Sequence, residues 1–222
     1  INTLNKKFRN MKEIATIPLF ATPLTVYSIK HINQEKIENV LKSIQYNNID
    51  KIPNHSSISK SLNVLNEHQD LNGLKVKIEQ AIDNFSQKIV GNVETKFSLT
   101  TSWATETKTN EVSDIHKHSN NLFSAVYYNI ADDQSSPIRF YKYNNETNME
   151  ISPEKYTIYN SNYWDIKPLD KLLLIFPSYL RHSIQRNKSK KTRYSIACNF
   201  HPIGNYGQGD SRLLGVNFKT IG

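Results

Sequence analysis

The chain has 222 residues, of which 37% are hydrophobic, with 28 Lys and Arg against 20 Asp and Glu. That length suits one domain with a sizeable core, and no apolar run approaches the roughly 20 residues that a membrane-spanning helix needs. The net charge of +8 admits an anionic ligand or a nucleic acid without requiring either, and the single cysteine, Cys198, excludes an intrachain disulfide framework, which makes the cytoplasm the expected compartment.

Residues 1–10 are polar and basic and are expected to form a flexible tail. Lys6, Lys7, Arg9 and Lys12 ahead of the apolar stretch 14–29 imitate a secretion signal, but Glu13 interrupts the basic run. Pro18 and Pro23 then cut the apolar stretch into pieces that suit an edge strand. A helix is predicted over 33–46, capped by Asn33, with Ile37, Val40, Leu41 and Ile44 on one face. The turn-rich stretch 47–69 reads as a long surface connection. A second helix is predicted over 70–90, capped by Asp70 and stopped by Gly91, with Leu71, Leu74, Ile78, Ile82, Phe85 and Ile89 forming a stripe that packs on a sheet. His31, His55 and His68 fall in these regions and read as surface or capping residues.

From residue 96 the period changes to two, giving strands at 96–104, 122–130, 137–142, 155–159, 171–176, 179–186 and 192–200, with a last one at 213–218. No helix of useful length separates them, so a mainly β sandwich or barrel with antiparallel sheets is expected, its two N-terminal helices packed outside one sheet. The layout is one domain over 1–222, with a strand and helices at 18–91, a β core at 96–200 and an extension at 201–222.

Alternation within the strands sorts the side chains. In 179–186, His182 shares the apolar, inward face with Leu180 and Ile184. In 192–200, Tyr194, Ile196, Cys198 and Phe200 suit the space beneath the second helix, so Arg193, Ser195, Ala197 and Asn199 line the interior. A buried arginine is costly unless it meets an anion, and its fork matches a carboxylate, with Ser195 placed to donate a further hydrogen bond. His116 and His118, two residues apart, together with the inward His182, can close on one metal ion if the sheets fold back on each other. The remaining basic residues nearby, Arg181, Arg186, Lys188, Lys190 and Lys191, read as a solvated hairpin, and Trp103 as core. Asn120, Asn121 and Arg181 are candidates to face a substrate.

His116 and His118, then His182, then Arg193 and Ser195, resemble the signature of the Fe(II)/2-oxoglutarate-dependent oxygenases. More narrowly, the chain resembles an uncharacterised branch of that superfamily found in phages and marine microbes. The likeness is carried by Leu19-Phe20-Ala21-Thr22-Pro23, by Thr101-Ser102-Trp103 and by Ser124-Ala125-Val126-Tyr127-Tyr128 after the histidine pair. Phe176-Pro177-Ser178-Tyr179-Leu180-Arg181-His182 and Arg193-Tyr194-Ser195-Ile196-Ala197-Cys198-Asn199-Phe200 complete it, from 18 to 200. The resemblance implies a double-stranded β-helix, or jelly roll, of cupin-like shape. It also implies Fe(II) on His116, His118 and His182, 2-oxoglutarate held by Arg193, Ser195 and Tyr128, and dioxygen as oxidant. The implied reaction converts 2-oxoglutarate to succinate and CO2 while hydroxylating a substrate that the sequence does not identify. The chain departs from the superfamily at His118, which stands where a carboxylate is usual, and from the branch at Ala125, where glycine is favoured.

Two other readings use the same residues. A three-histidine metalloenzyme without the keto acid, of thiol dioxygenase or zinc hydrolase type, would direct Arg193 to the substrate itself. A non-enzymatic jelly-roll binding module, with nucleic acid as a partner, would use the basic run, although no aromatic platform is interleaved with it.

Overall fold

Two apolar stripes on helices and a period-two pattern on strands require two cores, and the structure has them on opposite faces of one large sheet. The computed structural model describes residues 15–48, 52–91, 94–143 and 152–218. The expected tail at 1–10, the basic run Lys6, Lys7, Arg9 and Lys12, and the stretch 144–151 lie outside these.

Strand β1 (Thr25–Ser28) forms an edge, as its prolines suggest, and helix α1 (Gln34–Ser43) follows with the Asn33 side chain accepting from the Lys36 N–H at 3.0 Å. The helix is shorter than the apolar pattern because Ile44 is extended and Tyr46 opens the short strand β2 (Tyr46–Asn47). The stretch read as a surface connection is a correction. It contains β2, β3 (Ser57–Ser59) and a helical turn, α2 (Val64–Glu67), whose Val64 and Leu65 are fully buried. Ser59 and Ser102 explain the error, since these small polar residues are buried ties, donated to by the N–H groups of Ala104 at 3.0 Å and Leu65 at 2.9 Å.

Helix α3 (Asn72–Phe85) continues through a π turn (Ser86–Val90) to Gly91, whose φ of 75° ends it as expected. Asp70 is not its cap. Asp70 lies in a preceding 3-10 turn and pairs instead with Lys36 at 3.1 Å. Leu74, Ile78, Ile82 and Phe85 are buried under the large sheet, each contributing on the order of 1.5–3 kcal/mol.

The strands that follow are β4 (Lys96–Thr107), β5 (Phe123–Ile130), β6 (Ile138–Tyr141), β7 (Tyr163–Ile166), β8 (Leu172–Pro177), β9 (His182–Ile184), β10 (Arg193–Tyr206) and β11 (Leu213–Val216). The strand expected at 155–159 is absent. There the Asn160 side chain accepts from the Thr157 N–H at 2.7 Å and donates to the Lys155 carbonyl at 3.0 Å, closing a turn. The strand lies instead at β7, where Trp164 and Ile166 oppose Phe140 and Ile138. β9 is shorter than expected because the Leu180 N–H donates to the Pro177 carbonyl in a turn at 3.0 Å.

The large antiparallel sheet runs β1-β8-β5-β10-β4-β3-β2, with β11 on β10, and a three-stranded sheet β7-β6-β9 faces it, giving the jelly roll. One core lies between the large sheet and the helices and contains Ile196, Cys198 and Phe200. The other lies between the two sheets and contains Val126, Tyr128, Leu174, Phe176, Phe140 and Ala197. Ala125 belongs to the helix-side core, away from the site. Among the described residues no helix is long and apolar enough to cross a membrane.

Candidate functional site

The segment after β4 returns alongside β9 and brings the histidines together. His116 and His182 exchange both backbone hydrogen bonds at 2.9 Å, so they oppose each other directly with side chains on one face. The His118 N–H donates to the Ser178 carbonyl at 2.9 Å, which swings its ring toward the same point. One ring nitrogen from each of His116, His118 and His182 lies within 4.8 Å of the others. The Nε2 atoms of His118 and His182 are 3.3 Å apart, close to the ~3 Å separating neighbouring ligands at right angles on a metal with bonds of about 2.1 Å.

Backbone carbonyls set the tautomers. Nδ1 of His116 donates to the Asp114 carbonyl and Nδ1 of His182 to the Leu180 carbonyl, both at 2.9 Å. Each Nε2 therefore presents a lone pair, the form a metal ligand requires. His182 is buried against Phe176 and Phe140, with ring centres 5.0 and 5.8 Å away, whereas His116 is exposed. Burial, and secondarily the neighbouring His116, lower the pKa of His118 to about 4 and that of His182 to about 3. Both rings are thus neutral and ligand-competent at pH 7. The Asp114 side chain, 79% exposed, is not part of the cluster.

Those lowered values predict how the metal-free protein responds to acid. Above an unfolded value of about 6.5 neither state is protonated at these rings, so they add no pH dependence. Below it the unfolded chain binds protons that the folded chain refuses, and stability falls by up to about 1.4 kcal/mol per pH unit per ring. The loss continues until the folded rings titrate, near pH 4 for His118 and near pH 3 for His182. Urea unfolding at pH 7.5, 6 and 5 should therefore show a shallower loss for His118→Asn than for the wild type.

A second constellation lies on the inner face of the large sheet. Arg193 is 1% exposed, and no carboxylate among the described residues pairs with it. Its Nη1 donates to the Ser136 carbonyl at 2.8 Å, and its Cζ lies 5.1 Å from the centre of the Tyr128 ring. Among the described residues, the buried side-chain nitrogen and oxygen atoms with no hydrogen-bond partner are Arg193 Nε, Tyr128 Oη and Ser136 Oγ. All three belong to this one cluster. Burial lowers the Arg193 pKa and raises that of Tyr128, while the two partly offset each other; the guanidinium nonetheless stays charged. A buried cation beside two unmet hydroxyls fits an incoming carboxylate. Ser195, 2% exposed, sits opposite Tyr128 on the same face.

The two constellations lie on the same side of the large sheet, around the inter-sheet core. Along β10, Ala197 follows Arg193 on the same face by four residues, about 13 Å of strand. Ala197 opposes Trp103, whose ring centre is 5.2 Å from that of His118.

Residues 101–199 match the family model described as "Putative 2OG-Fe(II) oxygenase". Over these residues the chain is similar to the 2OG-Fe(II) oxygenases. The matched stretch holds every residue of both constellations. No curated protein matches the sequence. Among solved structures, the fold is similar to HygX from Streptomyces hygroscopicus with nickel, 2-oxoglutarate and hygromycin B bound, at 10% identity over 82% of this chain and 83% of that one, with a TM-score of 0.58. It is also similar to a prolyl-4-hydroxylase from Pseudomonas putida, at 11% identity over 84% and 96% of the two chains, with a TM-score of 0.56. A prolyl hydroxylase from Trichoplax adhaerens in complex with a hypoxia inducible factor peptide gives 11%, 80%, 83% and 0.57.

The sequence points to His116, His118, His182, Arg193, Ser195 and Tyr128, and the structure brings the three histidines into one cluster and Arg193, Ser195 and Tyr128 into another. Sequence reasoning missed Ser136, which no local pattern distinguishes; Trp103, read as core, does pack against the inter-sheet core, and its ring also borders His118. Asn120 is exposed with φ 63°, and the Asn121 side-chain oxygen Oδ1 accepts from the Thr100 hydroxyl at 2.6 Å as a loop tie. Arg181, Arg186, Lys188, Lys190 and Lys191 are exposed, leaving Arg193 as the one buried member of the basic run.

Proposed function

We propose that His116, His118 and His182 hold Fe(II), that Arg193, Tyr128 and Ser136 with Ser195 hold the distal carboxylate of 2-oxoglutarate, and that the chain hydroxylates a substrate reached from the exposed His116 side. The observation that supports this best is the gathering of the three unmet buried polar atoms around one uncompensated arginine, beside three converging imidazoles. The donor set fits: imidazole suits Fe(II), and the bound keto acid would bring the negative charge that a three-histidine site lacks.

With iron, 2-oxoglutarate and dioxygen present, the centre supplies oxidative decarboxylation to succinate and CO2, with one oxygen atom inserted into a substrate C–H bond. The chain's own contribution is positioning and shielding. The Asp114 and Leu180 carbonyls hold two rings in the donor tautomer. Arg193 anchors the far carboxylate bidentately, while the hydroxyls of Tyr128 and Ser136 donate to it, which fixes the length of the acid that fits. Phe140, Phe176 and Leu174 keep water from the inner side of the centre. We read 96–200 as the catalytic core of a single domain, with the N-terminal strand and helices as support.

The test needs no substrate. The protein with Fe(II), dioxygen and 2-oxoglutarate should release CO2 and succinate slowly by uncoupled turnover, whereas 2-oxoadipate, whose chain is one carbon longer, should yield neither CO2 nor its own product, glutarate. Iron uptake without succinate would favour a three-histidine enzyme that does not use the keto acid.

A further inference from the structure

His55 lies outside the matched stretch and outside the imidazole cluster, yet its ring is only 19% exposed and both its nitrogens are engaged beside the candidate metal centre. Its Nδ1 is 3.1 Å from the Ser56 carbonyl, a contact only an N–H can satisfy. Nε2 therefore carries a lone pair, and it accepts the Asp114 backbone N–H at 3.2 Å. The Asp114 carbonyl in turn accepts Nδ1–H of His116 at 2.9 Å. We propose that His55 is a positioning residue for the metal centre, fixing the backbone at Asp114 and through it the orientation of the His116 imidazole. The inference rests on the three-histidine reading above.

The three histidines differ in what else holds them. His182 is buried in the inter-sheet core, and its accepting carbonyl, Leu180, sits in a turn closed on Pro177. His116 is exposed, and the chain that carries it, 112–116, has β9 on one side and, among the described residues, the segment 54–56 on the other. That segment holds the chain independently of the His55 ring. The Val112 N–H donates to the Asn54 carbonyl at 3.0 Å, the Ser56 N–H donates to the Val112 carbonyl at 2.9 Å, and Ser56 Oγ reaches Thr107 Oγ1 at 3.1 Å. Removing the ring leaves this pairing in place and frees the Asp114 N–H and the Ser56 carbonyl. The charged group that faces Nε2 is the Asp114 carboxylate, 3.8 Å away and open to solvent, which can swing onto the vacated N–H or onto the metal. An orienting partner of this kind typically governs metal affinity by about 10–100-fold.

The test uses Co(II) added to the metal-free full chain, with its visible d–d bands and dissociation constant as readouts. His55→Ala should weaken Co(II) binding by about 10–100-fold and alter the bands, while His55→Gln, whose carbonyl oxygen can accept the Asp114 N–H, should stay within about threefold of wild type. The metal-free melting temperatures of all three should coincide. Wild-type bands and affinity in His55→Ala would overturn the proposal, as would equal losses in both variants accompanied by lower melting temperatures, which would make His55 a packing residue. Wild-type protein that takes up no Co(II) would instead remove the three-histidine reading itself.

Discussion

Arg193→Met should raise the melting temperature of the metal-free protein while weakening 2-oxoglutarate binding by about 30-fold to several-thousand-fold. The two effects share one cause. In the ligand-free protein the guanidinium is buried, holds a single hydrogen bond to Ser136 and leaves Nε unmet. Desolvating such a charge costs several kcal/mol, more than the roughly 1 kcal/mol regained from one hydrogen bond. Methionine fills a similar volume beside the Tyr128 ring with no charge to desolvate. A net gain of about 1 kcal/mol would appear as roughly 2–4 °C in a chain of this size. With 2-oxoglutarate bound the sign reverses, because the ligand's carboxylate loses its partner in a water-poor site, at about 2–5 kcal/mol. Calorimetric titration of the metal-loaded protein and thermal melting of the metal-free one measure the two halves. A lower melting temperature with unchanged affinity would give Arg193 a purely structural role.

The second large effect belongs to His182. His182→Ala should reduce metal uptake far beyond the about 10–100-fold that outer partners govern, and should also cost the metal-free fold about 1–3 kcal/mol at pH 7. The ring is 3% exposed and touches His116, Phe140 and Phe176, with centres 4.4, 5.8 and 5.0 Å away, so truncation leaves a hole as well as a missing ligand. Equilibrium dialysis against Fe(II) and urea unfolding separate the two losses. If the variant retained wild-type iron affinity, the ion would be held elsewhere.

Much of this site is legible in sequence because strand periodicity is strict. The alternation that put Arg193 and Ser195 opposite Tyr194 and Ile196 is a geometric consequence of the pleat, and the structure buries His182, Arg193 and Ser195 while Ile196 and Tyr194 belong to the helix-side core. The buried arginine was conspicuous for the same reason. What stayed hidden depends on partners distant in sequence. Ser136 is a serine before a proline until Arg193 arrives beside it, and His55 is an ordinary loop histidine until the chain at 112–116 is laid against it. Trp103 shows the opposite limit: it reads as core and packs on the inter-sheet core, but nothing local in the sequence shows that its ring also borders His118. Short elements failed too, since β2, β3 and α2 are fixed by ties such as the Ala104 N–H on Ser59 rather than by any pattern of their own.

The most direct test of the account is anaerobic. Fe(II) and 2-oxoglutarate are added together to the metal-free protein, and the visible spectrum is watched for the weak charge-transfer absorption that arises when the keto acid chelates iron. The band should appear with the wild type, be missing in His182→Ala, and require much more 2-oxoglutarate in Arg193→Met. Iron binding with no band at any 2-oxoglutarate concentration would contradict the central claim, that the three imidazoles and the buried arginine form one site for iron and its keto acid.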